Sequence, residues 1–330
     1  MLNFIYWPIS WVLWAYHKLF GAILSPDSGM AWALSIIMLT VTIRALLIKP
    51  MVNQMRSMRR MQEMQPRMQE IRAKYKNDQQ KMAEETQKLY KEMGTNPLAS
   101  CLVPLVQMPV FIGLFHVLRS FNRTGNGPGA LGLSVEENRN IANYAFSPED
   151  VRSFLDANIF GVPLSAYMSM PEDAFAAFTG VEDLTRTKII AVCLPMVILS
   201  ALFTHLNARM SIQRQQARRA AGKVNKPQGE NAQMMDQQMQ MMNKMMLWFM
   251  PATILFTGFI WTIGLLVYMM ANNVWTFFQQ RYIFALLDKE EAEELEAKRE
   301  AKREAQKNLA PKVVVKPNNP KKGGKKKVQG

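Results

Sequence analysis

The chain of 330 residues is 49% hydrophobic and 20% charged, and its apolar and charged residues fall into separate blocks. Such blocks indicate a polytopic membrane protein rather than a soluble globular domain. The formal net charge of +14 suits anionic lipid or nucleic acid as a partner, so the distribution of the charge has to decide. The two cysteines lie in apolar runs and the three histidines have no ligand-like spacing, which argues against a disulfide framework or a metal site.

The first segment, residues 1–24, is rich in Trp, Tyr and Phe. It lacks a basic start, so it does not read as a cleaved secretory signal. Aromatic enrichment is typical of segments that seek the membrane interface, so we expect an amphipathic helix lying on the bilayer. A full membrane span is the alternative.

The first core span, residues 30–48, contains one charged residue, Arg44. Its 19 residues would form a helix of roughly 28 Å, close to the hydrocarbon thickness of a bilayer. A guanidinium at the centre of a span costs from about 2.5 to more than 10 kcal/mol, so such a residue usually faces a protein interior or a watery cavity. Because Arg44 lies four residues before the end of the run, it could instead reach the nearby interface, and its position leaves both interpretations open.

The next segment, residues 51–96, is polar and predicts a helical hairpin outside the bilayer. Its ten basic residues outnumber its six acids, which places it in the cytoplasm by the positive-inside rule. Methionines recur every three or four residues and so form a stripe along one helix face. The stripe either packs between the two helices or offers an adaptable surface to apolar partners. We assign client capture to five of these residues: Met55, Met58, Met61, Met64 and Met68.

A second span is predicted at residues 98–118, where Gln107 is the polar residue of interest. On physical grounds alone Gln107 could simply bond neighbouring helices. Residues 121–187 hold nine acids and four bases, so the charge balance inverts and this loop is predicted to be extracytoplasmic, with a short interfacial helix.

The remaining chain predicts three more spans. A span at residues 189–206 leads into a basic cytoplasmic loop at residues 209–244, where seven bases face two acids. Residues 281–330 hold 14 bases and must also lie inside. Two basic flanks on one side require an even number of crossings. The apolar run between them is therefore predicted to form two spans, at residues 245–263 and 265–287.

The tight outer turn between these last two spans is expected near residues 261–264.

The resulting fold class is an all-α polytopic membrane protein with a five-helix transmembrane bundle and a cytoplasmic helical hairpin. The tail at residues 288–330 reads as a charged helix followed by a disordered, lysine-rich end. Such a tail binds anionic lipid or ribosomal RNA through phosphate groups.

Several kinds of chemistry have no motif in this sequence. It contains no phosphate-cradling glycine loop, no HExxH pair and no GxSxG elbow. The five predicted spans contain no Asp or Glu, so a proton relay or an intramembrane aspartyl protease has nothing to titrate. The sequence therefore predicts no enzyme, no cofactor and no metal, and leaves a cationic site in a small bundle.

At this point the chain resembles the YidC/Oxa-type membrane protein insertases over residues 30–287, in the short bacterial form without a large periplasmic domain. The motifs that carry the resemblance are TIR at 42–44, GTNPL at 94–98, LVQMPVF at 105–111, WFMP at 248–251, GLLVY at 264–268 and NVW at 273–275. Two positions depart from the family pattern. The turn WTIG at 261–264 lacks the usual proline, and Met269 stands where a second aromatic residue often follows Tyr268.

The resemblance implies a hydrophilic groove that is open to the cytoplasm and to lipid and closed on the outside. It implies a protein of the bacterial plasma membrane with a cytoplasmic C-terminus, which receives nascent chains and releases their helices sideways into lipid without nucleotide hydrolysis. The implied clients are single-span and small hairpin membrane proteins, and the other implied partners are the ribosome, the Sec translocon and anionic lipids. The groove residues expected to hold a client are Arg44, Gln107, Thr40, Tyr268 and Asn273.

Two other classes of function compete with this interpretation. In a small-solute channel or transporter, Arg44 would act as an anion filter. In a passive assembly scaffold, removing Arg44 would leave the insertion of acidic clients intact.

Overall fold

The computed structural model describes residues 2–94, 99–124, 131–181, 183–223 and 232–309. The chain divides into two compact units, residues 1–283 and residues 284–330. In the second unit the described residues are helical and mostly exposed. The lysine-rich end predicted to be disordered and the GTNPL motif from residue 95 to 98 lie outside the described residues.

The structure is built almost entirely of helices. Those of the first half are α1 (Asn3–Leu24), α2 (Gly29–Leu46), α3 (Ile48–Lys74), α4 (Gln79–Glu92) and α5 (Ala99–Arg119). Those that follow are α6 (Val135–Asn140), α7 (Pro148–Asp156), α8 (Arg186–Ala220), α9 (Ala232–Lys244), α10 (Met250–Thr257) and α11 (Ile263–Leu309). Three short helical segments of other types are a π-helix (Met245–Phe249) and two 3-10 turns (Glu172–Ala177 and Gly258–Ile260).

Within the described residues, two helices are long and apolar enough to cross a membrane: Gly29–Leu46 and Arg186–Ala220. The first carries Arg44 in its last turn. The second is 35 residues long and extends well beyond the predicted span at 189–206. The other three predicted spans correspond to helical segments, and their crossing of a membrane stays a prediction. Helix α11 contains both the predicted fifth span and the predicted charged helix.

The polar hairpin is formed by α3 and α4. Its turn comprises residues 75–78, and the side chain of Asp78 caps α4 by accepting a hydrogen bond from the backbone N–H of Lys81 at 3.0 Å. Helix α3 packs against α5 as well as against α4. On α3, Met64 is only 1% exposed, whereas Met58 is 41% exposed. Met55, Met61 and Met68 are half-buried. Met64 therefore packs inside the protein and does not belong to an open methionine surface.

Residues 121–187 were expected as a loop with one short helix, and their described residues, 121–124, 131–181 and 183–187, fold into a packed cap. They contain α6, α7 and a hairpin of two short antiparallel strands, β1 (Asn158–Ile159) and β2 (Val162–Pro163). These strands are a small exception to the all-α expectation. The indole of Trp32 in α2 packs edge-on against Phe154, with ring centroids 4.9 Å apart, and its N–H donates to Ser153 Oγ at 3.1 Å. The aromatic contacts bind the cap to the first turn of α2.

The cap also holds the start of α11. The first N–H groups of a helix have no partner within the helix and need acceptors from elsewhere. Here Ile263 N donates to Ala166 O at 3.1 Å and Gly264 N donates to Leu164 O at 2.9 Å. The connection before α11 consists of the 3-10 turn Gly258–Ile260 followed by Trp261 in an extended conformation. It begins slightly before the turn predicted at residues 261–264.

Helix α1 packs against α2 and α5 and touches the cap near both of its ends. Near its start, Tyr6 and Trp7 pack against Tyr144 with ring centroids 5.6 and 5.9 Å apart. Near its end, Lys18 forms an ion pair with Asp150 at 2.7 Å. These contacts attach α1 to the cap, and the choice between an interfacial helix and a span stays a prediction.

Candidate functional site

The site is built around Arg44, which α2 places on the same face as Thr40. Four residues make slightly more than one helical turn, so the two side chains lie one above the other. Arg44 is 8% exposed. Its Nε donates to Asn272 Oδ1 at 2.8 Å, and its Nη2 donates to the same oxygen. The guanidinium is thus held inside the protein by a neutral amide.

Two further helices complete the wall of this pocket. Gln107 on α5 donates from Nε2 to the hydroxyl of Tyr268 on α11 at 3.1 Å. Tyr268 lies four residues before Asn272, so both face the same side of α11. The complete lining is Thr40, Ile43, Arg44, Gln107, Val110, Tyr268 and Asn272. We call these seven residues the arginine pocket.

The arginine pocket is narrow around the guanidinium. It is too small to hold a water molecule. The hydrophilic groove implied by the family resemblance stays a prediction. The hydroxyl of Thr40 donates to Ile36 O of its own helix at 2.8 Å, so it does not donate a hydrogen bond into the pocket.

The pocket carries a positive charge without a carboxylate to balance it. None of its seven lining residues is acidic. Among the residues that the structure describes, Gln107 Oε1 is also buried without a hydrogen-bond partner. A buried cation with only neutral partners is costly, and so is an unsatisfied amide oxygen. Both groups would gain from a polar ligand that brings an anionic oxygen and a donor.

Asn273 is the predicted site residue that the structure places elsewhere. It points toward α8, where its Nδ2 donates to Ser200 O at 3.3 Å and its Oδ1 accepts from Thr204 Oγ1 at 3.2 Å. Its backbone oxygen accepts from Asn207 at 3.1 Å. Asn273 therefore joins two helices, and the neighbouring Asn272, which the sequence reasoning missed, contacts Arg44.

The exposed methionine surface lies mainly outside the hairpin. Six exposed methionines lie on α9, the π-helix and the start of α10: Met234, Met241, Met242, Met245, Met246 and Met250. In the described ranges, no group of three or more His, Cys, Asp or Glu side chains lies close enough together to hold a metal ion.

The buried charge of Arg44 and the unpaired oxygen of Gln107 make the arginine pocket the candidate site for a polar or anionic ligand.

Comparisons with known proteins find similar sequences over most of the chain. A family model described as "60Kd inner membrane protein" matches residues 23–290. The chain is 45% identical over 318 residues to a protein of Mycobacterium tuberculosis (strain CDC 1551 / Oshkosh) named Membrane protein insertase YidC, covering 96% of this chain and 80% of the relative. A relative of the same name from Mycolicibacterium paratuberculosis is 43% identical over 325 residues, covering 98% of this chain and 85% of the relative.

A more distant relative of the same name, from Streptomyces avermitilis, is 34% identical over 283 residues, covering 86% of this chain and 58% of the relative. The family match includes every residue that lines the arginine pocket. The resemblance seen in the sequence motifs is thereby confirmed. The chain belongs to the YidC/Oxa family of membrane protein insertases.

Proposed function

We propose that this protein is a membrane protein insertase of the cell membrane, and that the arginine pocket receives a polar segment of a nascent chain. The names of the relatives support the insertase role. The observation that carries the pocket assignment is the buried guanidinium of Arg44, which has an amide partner and no carboxylate partner among the described residues. A client carboxylate supplies the missing charge.

Without a client, Asn272 occupies the position on Arg44 that the carboxylate of a client would bind. Its single oxygen accepts from both Nε and Nη2 of Arg44, which is the side of a guanidinium that a carboxylate commonly binds with two oxygens. Exchanging a neutral acceptor for a charged one strengthens the interaction, because charge-assisted hydrogen bonds are roughly twice as strong. The exchange also needs the pocket to widen, because it has no room for a water molecule.

Gln107 and Tyr268 complete the polar contact. When Tyr268 swings away, the amide of Gln107 offers a donor and an acceptor to client backbone or side chains. At about 332/(εr) kcal/mol, a carboxylate 4 Å from Arg44 gains on the order of 4 kcal/mol at an effective dielectric of 20, before desolvation is subtracted. An attraction of this size favours entry without preventing release.

Release of the apolar part of the client occurs sideways into lipid. Exposed apolar residues follow the outer face of α5 beside the pocket: Leu105, Met108 and Ile112. A client helix can therefore leave the polar contacts without crossing a polar surface. Burial of its own apolar area drives this step, and the membrane potential adds about 2.3 kcal/mol per charge per 100 mV for outward-moving acidic residues. The cycle uses no nucleotide.

The polar regions serve delivery. The exposed and half-buried hairpin methionines, Met55, Met58, Met61 and Met68, contact apolar segments of single-span and hairpin clients before they reach the pocket. The basic tail lies on the cytoplasmic side and binds anionic lipid or a translating ribosome. Cooperation with the Sec translocon belongs to the same proposal.

The insertase proposal is tested with the purified protein in lipid vesicles and a single-span client with an acidic tail. We expect insertion without nucleotide, and a roughly 10- to 100-fold lower rate for Arg44→Ala, because a charged hydrogen bond of about 1.5–3 kcal/mol is lost. Arg44→Lys is the matched control that keeps the charge. A client with a neutral tail should be affected little.

The same vesicles distinguish the competing functions. Steady anion flux with no insertion would identify a channel in which Arg44 filters anions. Unchanged insertion of the acidic client by Arg44→Ala would identify a passive scaffold.

A further inference from the structure

The tip of the β1–β2 hairpin exposes a large aromatic side chain in an unfavourable backbone conformation. Phe160 is 90% exposed, and its φ angle is +52°. With Gly161, at a φ of +74°, it forms the two-residue connection between the paired residues Ile159 and Val162. A connection with two positive φ angles favours Asn or Asp followed by Gly, because most side chains are strained there. The second position has the expected glycine and the first has a phenylalanine.

Exposure and strain both disfavour phenylalanine at this position, so folding of the hairpin does not account for it. Strained residues that point outward are commonly found where they meet a ligand or partner. The apolar ring of Phe160 has few neighbours in the folded chain, and it therefore calls for a contact outside the protein.

The position of the hairpin identifies that contact. The carbonyl oxygen of Asn158 lies against Gly29, where a Cβ atom would come within 1.8 Å of it. Gly29 is the first residue of α2, one of the two helices that are long and apolar enough to span a membrane. The hairpin is thus fixed at the level where α2 enters the bilayer, which is where aromatic side chains are enriched in membrane proteins. The next residue of α2, Met30, is 57% exposed at the same level.

We propose that Phe160 is a membrane anchor that inserts into the lipid interface beside the start of α2. The anchor is rigid, because the hairpin is held by Gly29 on one side and the following segment bonds the first N–H groups of α11 on the other. It therefore fixes the depth of two helices that line the arginine pocket. The proposal rests on the membrane location of α2 and does not depend on which ligand the pocket binds.

The test places a spin label at this position in the full protein in lipid vesicles. Both native cysteines, Cys101 and Cys193, are first replaced by serine, and Phe160→Cys is labelled. Collision of the label with oxygen, which concentrates in lipid, is compared with collision with a water-soluble nickel chelate. The matched control is Asn140→Cys, at an exposed polar site in the same cap.

We expect the ratio of oxygen to nickel collisions to be several-fold higher at position 160 than at position 140. Equal ratios at the two positions would place the ring in water and overturn the proposal. Protection from both reagents would place it against protein and overturn the proposal as well. A second variant, Phe160→Trp, keeps an aromatic ring. Its added fluorescence, relative to the unsubstituted protein, should be quenched more by lipids brominated near the headgroup than by lipids brominated near the chain end.

Discussion

Replacing Asn272 by aspartate gives the arginine pocket a permanent anionic partner. In the structure, Asn272 Oδ1 lies 2.8 Å from Arg44 Nε, and an aspartate has nearly the same shape. The substitution therefore changes the charge of the pocket while its packing is kept. We expect Asn272→Asp to compete with the carboxylate of a client and to inhibit insertion.

The size of this effect follows from the distance. At 2.8 Å and an effective dielectric of 20, the attraction between the new carboxylate and Arg44 is about 6 kcal/mol before desolvation is subtracted. If only about a third of this attraction survives desolvation, about 2 kcal/mol remains. That amount lowers the occupancy of the pocket by an acidic client about 30-fold.

The assay measures the insertion of two clients that differ only in their tails, one acidic and one neutral. We expect Asn272→Asp to slow the acidic client strongly and the neutral client little. The amide-preserving variant Asn272→Gln is the matched control for a change at this position without a new charge. Protein yield and melting temperature show whether each variant folds.

Equal insertion of the acidic client by Asn272→Asp and by the unsubstituted protein would refute the reasoning. Arg44 would then be neutralised in the pocket without any effect on function. A uniform loss with both clients would show that the variant damages the fold or the opening of the pocket, and it would also contradict a competition between carboxylates.

Three further predictions concern the cap and the hairpin. Gly29→Ala should lower the free energy of unfolding by about 1–3 kcal/mol or more, because the new Cβ would meet the carbonyl oxygen of Asn158, and an unchanged melting temperature would contradict this contact. Burial by itself would raise the pKa of Asp150. Its hydrogen bonds, led by the one from Lys18, lower the pKa by more than burial raises it, so the net pKa lies below the usual value. Its ionised form therefore stabilises the fold above pH about 4 and loses that effect as the pH falls through the lower folded pKa. Asp150→Asn should thus lower the melting temperature at pH 7, and the difference should shrink as the pH falls through the lowered folded pKa, whereas a difference independent of pH would be contrary to this account. Met64→Ala should destabilise the hairpin by about 2–5 kcal/mol, measured as faster amide exchange in α3 and α4, and unchanged exchange would show that its burial matters little.

Local patterns predicted the all-helical class and the family. The segment 51–96 was predicted as a helical hairpin, and the structure places a turn in it between Lys74 and Gln79. The unusual arginine in an apolar helix singled out the central residue of the pocket. These features depend on neighbours within a few turns of helix, so the sequence carries them directly.

The choice between Asn272 and Asn273 shows where sequence reasoning reached its limit. At 100° per residue, Asn272 lies about 40° from Tyr268 around the helix and Asn273 about 140° from it. Helical spacing from Tyr268 would therefore have selected Asn272. The resemblance drew attention to the NVW motif instead, and Asn273 serves the contact between α8 and α11.

The folded cap could not be predicted for a different reason. Its core joins Trp32 to Phe121, Phe146 and Phe154, which are far apart in the sequence. Contacts between such distant residues leave no periodic pattern in the chain. The excess of acidic residues predicted on which side of the membrane the segment lies. It did not indicate that the segment has a packed core.

The most direct test of the central claim is photo-crosslinking of stalled nascent chains from inside the arginine pocket. A photoreactive phenylalanine analogue replaces Tyr268, which lines the pocket, and in a control it replaces Phe256, an exposed residue of α10. We predict adducts between position 268 and the acidic segment of the client, and their loss when Arg44→Ala is added. Adducts with lipid alone at both positions would contradict the account.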